Sequence, residues 1–252
     1  MIPDPVFYFT ALCAVTALGL SKGGFAGLGM VAMPLLCLVI PPLQAAGILL
    51  PIMIVQDAVS MWAFRRKWDG SLIAVMIPGV CLGMGIAWLL AAYVPTAYVQ
   101  IAVGVIAVVF VLVRWLRLLD AGKPARRTIA RGIFWGSVSG FTSLLALSGG
   151  PPFQAYVLPL RLDKETFVGT FTIYFGIINV MKVVPFFFLG QFSMPNLSTS
   201  LALLPFAILT NLAGVWLVRR TPGETFYKII YVLILLVGLE LIRQGATDIW
   251  RN

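Results

Sequence analysis

Histidine is absent from the 252 residues, cysteine occurs three times, and only 11% of the chain is charged. The first absence removes imidazole, so metal sites and catalytic dyads built on histidine are excluded. Cys13, Cys37 and Cys81 all fall in apolar runs, where a cysteine reads as a small apolar side chain and a disulfide is not expected. No carboxylates cluster, which leaves little for general acid–base or metal chemistry; no enzyme, metal or cofactor is expected. With 60% hydrophobic residues beside so little charge, the chain lies outside the soluble range and reads as a polytopic membrane protein. Met1-Ile2-Pro3-Asp4-Pro5 lacks a basic n-region and no small-residue cleavage pattern follows, so the first hydrophobic segment is expected to direct insertion itself. Acidic residues are scarce as well, 9 against 18 basic. The basic residues sit in short loops between apolar runs and no surface domain exists to hold a polyanion, so they read as topology signals and no nucleic acid is expected.

What the chain has in abundance is glycine, 24 residues, and its placement is uneven. An apolar run from Val6 to Ile40 contains Gly19-Leu20-Ser21-Lys22-Gly23-Gly24-Phe25-Ala26-Gly27-Leu28-Gly29. At 1.5 Å per residue such a run reaches about 50 Å against a hydrocarbon core of about 30 Å. It must therefore break, and five glycines around a lysine mark the place. The event recurs 125 positions later: the run from Ile129 to Leu160 is interrupted at Ser148-Gly149-Gly150-Pro151-Pro152, Gly149 aligning with Gly24 and Pro159 with Pro34. Two interrupted apolar segments at matching places in two halves point to the binding site of a transporter.

The remaining apolar stretches predict spans over about 45–64, 71–93, 97–115, 166–189, 197–218 and 226–241. If each broken segment dips in and returns to its own side, the Lys and Arg of the loops after Phe64, Trp115, Leu160 and Val218 all share one face, and the positive-inside rule makes that face cytoplasmic. The expected architecture is all-α and polytopic. It consists of two inverted repeats, residues 1–118 and 129–252, joined by a basic linker over 119–128. Each repeat has a broken re-entrant hairpin followed by three transmembrane helices.

Four ionisable residues fall inside predicted membrane segments: Lys22, Asp57, Lys182 and Glu240. A charge at mid-bilayer is costly and normally faces a partner or a cavity. Two lysines against one aspartate leave a net positive site suited to an anion, and Asp57 and Lys182 occupy equivalent repeat positions. Free backbone N–H groups after Gly24 and after Gly150 would add donors, with Ser21, Ser148, Thr142, Gln154 and Asn179 completing the hydrogen bonding. Each residue has a plainer alternative. Lys22 pairs with Asp57 and only locks two helices; Lys182, late in its span, snorkels outward; Asp57 is a counter-ion or proton carrier; Glu240 is interfacial; the glycines serve helix packing. Gly23-Gly24 is no phosphate loop, since the terminal Gly-Lys-Ser/Thr is missing.

The chain resembles the sulfite exporter TauE/SafE proteins, also grouped as the toluene sulfonate uptake permease family. The likeness rests on Gly19-Leu20-Ser21-Lys22-Gly23-Gly24 with Pro34-Leu35-Leu36, and on Gly140-Phe141-Thr142-Ser143 through Gly149-Gly150-Pro151-Pro152 to Leu158-Pro159. Val168-Gly169-Thr170, Asn179 with Lys182 and Pro185, and Asn196-Leu197 extend it over nearly the whole chain. The resemblance implies a multi-pass carrier of the bacterial cytoplasmic membrane that moves sulfite or organosulfur anions such as sulfonates, usually outward. Many relatives carry a histidine before the second glycine pair, where this sequence has Leu147; coupling here then differs, or passes through Asp57.

The expected site places a small anionic substrate between the two breaks, held by Lys22, Lys182, Ser21, Gly23, Gly24, Ser148, Gly149, Gly150, Gln154 and Asn179. Lys22→Ala is expected to abolish sulfite binding without unfolding the protein. An anion channel, or a carrier of another small anion such as a carboxylate, is the alternative. Glycine-rich helix surfaces permit a homodimer in the lipid bilayer.

Overall fold

The computed structural model describes residues 5–90, 93–117, 127–188 and 190–251, and among them all regular structure is helical. The helices are α1 (Pro5–Lys22), α2 (Ala32–Cys37), α3 (Pro42–Ala63), α4 (Gly70–Leu90), α5 (Thr96–Arg117), α6 (Ile129–Ala146), α7 (Gly150–Val157), α8 (Lys164–Phe188), α9 (Met194–Arg220) and α10 (Gly223–Arg251), with 3₁₀ turns at Leu28–Val31 and Leu158–Leu160. Seven are long and apolar enough to cross a bilayer. Six of them, α3, α4, α5, α8, α9 and α10, are the expected crossings, and the seventh is α1. The chain is a multi-pass membrane protein. Of the expected linker, residues 119–126 lie outside the described residues.

The helices gather into two compact units that cut across the sequence halves: residues 1–68 with 168–226, and residues 69–167 with 227–252. In the first unit, α1 packs along α9 through a glycine seam. A Cβ on Gly19 would lie 2.2 Å from Thr210 Oγ1, and one on Gly23 2.6 Å from the Cα of Gly214, so only glycine allows the two backbones to approach this closely. The start of α1 (Phe7, Ala11) shares one apolar core with Leu36 of α2 and the start of α3 (Ala45, Ile48), while at the far ends Ser60 of α3 donates to the Lys22 carbonyl at 2.9 Å. The two helices therefore run parallel, and residues 23–41 must carry the chain back to the end it came from. The first broken segment is a hairpin with unequal arms, a near-full-length α1 and a shorter return through Leu28–Cys37.

Its turn closes as a Schellman cap: Phe25 N–H bonds the Leu20 carbonyl at 3.1 Å and Gly24 N–H the Ser21 carbonyl at 3.1 Å, with Gly24 at φ 136°. A side chain at Gly24 would strain that φ and meet Val218 Cγ2 at 2.6 Å. Gly24 lies beside Val168, the fifth residue of α8, and Val218, two residues before the end of α9. The turn thus reaches the basic ends of these helices.

The second unit repeats the motif with other partners. Here α6 lies parallel to α4 through Gly79, Gly83, Gly136 and Gly140; a Cβ on Gly83 would fall 1.9 Å from the Ser137 carbonyl oxygen, and one on Gly140 2.6 Å from that of Val80. The hairpin returns on itself, since Tyr156 near the end of α7 donates to the carbonyl of Thr128 just before α6 at 3.3 Å. At its turn Leu147 takes the left-handed conformation, φ 51°. The first hairpin arm of each sequence half thus packs on the second crossing of the other half, α1 on α9 and α6 on α4, which is why neither unit is a sequence repeat.

Candidate functional site

The charged residues of the first unit meet at the middle of α8. Gly176, thirteenth of the 25 residues of α8, faces α3, where a Cβ on it would lie 3.6 Å from that of Asp57. From α1, Lys22 sends its Nζ to within 2.6 Å of Asp57 Oδ1, with the Phe175 ring centroid 5.9 Å away. From α8, Asn179 donates through Nδ2 to Asp57 Oδ2 at 2.6 Å. That leaves Asn179 Oδ1 for the ammonium of Lys182, one turn further along, at 3.4 Å. Side chains on a helix lean toward its N-terminus, so a lysine at 182 reaches back to the level of Asn179. All four residues are buried, Lys182 at 2% exposure and Asn179 at 0%.

Both oxygens of Asp57 are therefore taken, one by an ion pair and one by an amide. Lys22 is neutralised. Lys182 is not: among the described residues no carboxylate lies within ion-pair distance of it, and Asn179 is its hydrogen-bond partner. An ammonium has three donors, so one long bond leaves this buried cation short of acceptors. The plainer alternative, that Lys182 snorkels outward, does not describe this side chain, which is buried and turns back toward Asn179. Lys22, expected to offer its charge to the solute, is paired in the structure with Asp57.

Beneath this cluster lies a neutral polar layer that sequence reasoning did not single out. Asn211 of α9 donates to Ser60 Oγ at 2.8 Å and to the Gln56 carbonyl at 3.3 Å, and Gln56 Nε2 donates to the Ala207 carbonyl at 3.0 Å. These bonds tie α3 to α9 and hold Asp57 in place. Gln56, Ser60 and Asn211 were visible as polar residues within apolar spans, which is the signal that would have found them.

Ser21, Gly23 and Gly24 sit at the hairpin turn rather than at the charges. The N–H groups of Gly23, Gly24 and Phe25 are all consumed by the helix end, which takes Phe25 from the donors expected after Gly24. In the second unit, Ser148, Gly149, Gly150 and Gln154 cluster at the other turn. Ser139 Oγ donates to the Gly149 carbonyl at 2.8 Å, Thr142 Oγ1 to that of Ser148 at 3.3 Å, and Ser148 Oγ to that of Ala146 at 2.8 Å. Pro151 and Pro152 open α7 without any N–H, which removes two of the donors expected after Gly150. Glu240 pairs with Arg243 at 2.7 Å on its own helix.

Asp69 lies outside the spans, just before α4. Partial burial pushes the Asp69 carboxyl up, but the Ser71 hydroxyl, the Arg127 guanidinium and the Leu72 N–H outweigh it and hold it below the usual carboxylate range.

No curated protein and no solved structure matches the chain. A family model described as sulfite exporter TauE/SafE matches residues 11–241, the stretch that carries both hairpins and the whole charged cluster. The chain belongs to the sulfite exporter TauE/SafE family.

Proposed function

We propose that this protein is a secondary carrier that exports small sulfur-containing anions, sulfite or organosulfur anions such as sulfonates, across the bacterial cytoplasmic membrane by alternating access between two inverted repeats. The observation that carries the reading is the Lys182 ammonium, buried at the level of Asn179 with one weak acceptor and no carboxylate of its own. A cation so placed is costly unless an anion joins it. A small oxyanion offers several acceptors to the unused donors. In this reading Lys182 and Asn179 meet the solute, whereas Lys22 acts through Asp57, and Ser21, Gly23, Gly24, Ser148, Gly149, Gly150 and Gln154 act by shaping the turns. Both oxygens of Asp57 are engaged by fixed partners, which favours a counter-ion over a proton carrier.

Support for a two-repeat carrier comes from the exchanged packing of α1 and α6 and from the meeting of Asp57 and Lys182, repeat-equivalent positions, in one cluster. Paired breaks in such repeats accompany alternating access. Reconstitution into liposomes tests this. A carrier shows saturable sulfite flux that speeds up when substrate is placed on the far side, and Lys182→Met loses it. Flux that neither saturates nor responds to far-side substrate identifies the alternative, an anion channel.

A further inference from the structure

The charges buried in the first unit do more than attract an anion, because their sum is small. Among its described residues Lys22, Asp57 and Lys182 are buried; the other charged residues of α3, α9 and the loops after them, Arg65, Arg66, Lys67, Arg219 and Arg220, sit at helix ends and are exposed. Two cations and one anion leave a net charge of plus one. Resting on the reading that Lys182 holds the solute, we infer that the site takes its substrate with a net charge of minus one: singly charged oxyanions bind as they are, and doubly charged ones bind only together with a proton.

A monoanion beside Lys182 brings the cluster to neutrality, so the low-dielectric interior holds no unbalanced charge. A dianion would leave one negative charge over, with nothing buried to meet it. Asp57 cannot relieve that excess without releasing Lys22 and Asn179, which hold its two oxygens at 2.6 Å each. From α1 the ionisable group facing the cluster is Lys22 and from α3 it is Asp57. The return arm Leu28–Cys37 offers only Cys37, which is exposed, and α9 has no ionisable residue before Arg219. On α8 itself the nearest is Tyr174, eight positions from Lys182. Among the described residues of the first unit no further buried cation is available, so the missing positive charge must arrive with the solute. Sulfite, whose second ionisation falls near neutrality, then travels as hydrogen sulfite, and a sulfonate travels unaided.

The test is calorimetry on the purified full-length protein with methanesulfonate and with sulfoacetate, each in two buffers of different ionisation enthalpy. The expected result is no proton uptake for methanesulfonate and one proton per sulfoacetate, whose affinity falls about tenfold per pH unit as pH rises. Sulfoacetate binding without a proton, at pH-independent affinity, overturns the inference while leaving the carrier reading intact. Failure of either anion to bind overturns both. Asp57→Asn raises the buried charge to plus two and is expected to let sulfoacetate bind without its proton. Should that variant not fold, the double variant Lys22→Met/Asp57→Leu restores plus one and is expected to keep the parent's proton requirement; loss of that requirement counts against the charge count.

Discussion

Removing one partner of the Lys22–Asp57 pair and removing both are expected to have opposite consequences. Asp57→Leu strands the Lys22 ammonium at 6% exposure and the Asn179 amide at 0%, and leaves two buried cations with nothing between them. Breaking a buried ion pair costs about 3–5 kcal/mol, and an unsatisfied buried amide about 1–3 kcal/mol more. At about 2–4 °C per kcal/mol for a chain of this size, the apparent Tm in detergent should fall by at least about 8 °C. Lys22→Met is milder, about 2–4 kcal/mol, because Asp57 keeps the Asn179 amide. The double variant Lys22→Met/Asp57→Leu exchanges the pair for two apolar side chains and should lie within about 2 kcal/mol of the parent. A double-mutant cycle by thermal unfolding in detergent then yields a favourable coupling of about 3 kcal/mol or more. Additive effects, with the double variant as unstable as the two single changes combined, would refute the pairing as the reason these charges are tolerated.

Gly23→Ala should destabilise the protein by about 2–3 kcal/mol or prevent its accumulation, because the new methyl group meets backbone atoms of Gly214 and Val215 at 2.6 Å. Gly85→Ala, with nothing within 4 Å of the added atom, should be neutral or gain up to about 1 kcal/mol in the same unfolding assay. Leu147→Gly removes the penalty of a left-handed leucine at φ 51° and should raise stability by about 1 kcal/mol. The Asp69–Arg127 pair should add stability that is present above the ordinary carboxylate pKa and lost as pH falls through the lowered folded value. With Arg127 at 43% exposure the effect is below about 1 kcal/mol; a pH series in which Arg127→Leu matches the parent's acid sensitivity would remove the pair from the account.

Hydropathy carried most of the fold to the surface of the sequence, since the six full spans are runs whose length and apolarity leave few alternatives. It stopped early at α10, which continues to Arg251, because the last turns carry Arg243, Gln244, Thr247 and Asp248 and are helical through local pairs such as Glu240–Arg243 rather than through apolarity. The breaks were legible from Gly24 and Gly149, yet their depth was not. Composition marks where a helix must stop, whereas the level of that stop depends on the register of the Gly19–Gly23 seam against Thr210 and Gly214, a contact between residues about 190 positions apart. At the site, the four residues that meet were all foreseeable as polar groups in membrane segments. Their division of labour was not. Whether a buried lysine is neutralised or available turns on one carboxylate and one amide, and that assignment needs Asp57 Oδ1 and Oδ2 located separately.

The account stands or falls on the unequal status of the two lysines. Binding of methanesulfonate, measured by calorimetry for the parent, Lys182→Met and the double variant Lys22→Met/Asp57→Leu, separates them most directly. The prediction is that Lys182→Met loses binding entirely while the double variant, which lacks Lys22 but keeps Lys182, still binds. Binding that survives in Lys182→Met and disappears only when Lys22 is removed would contradict it.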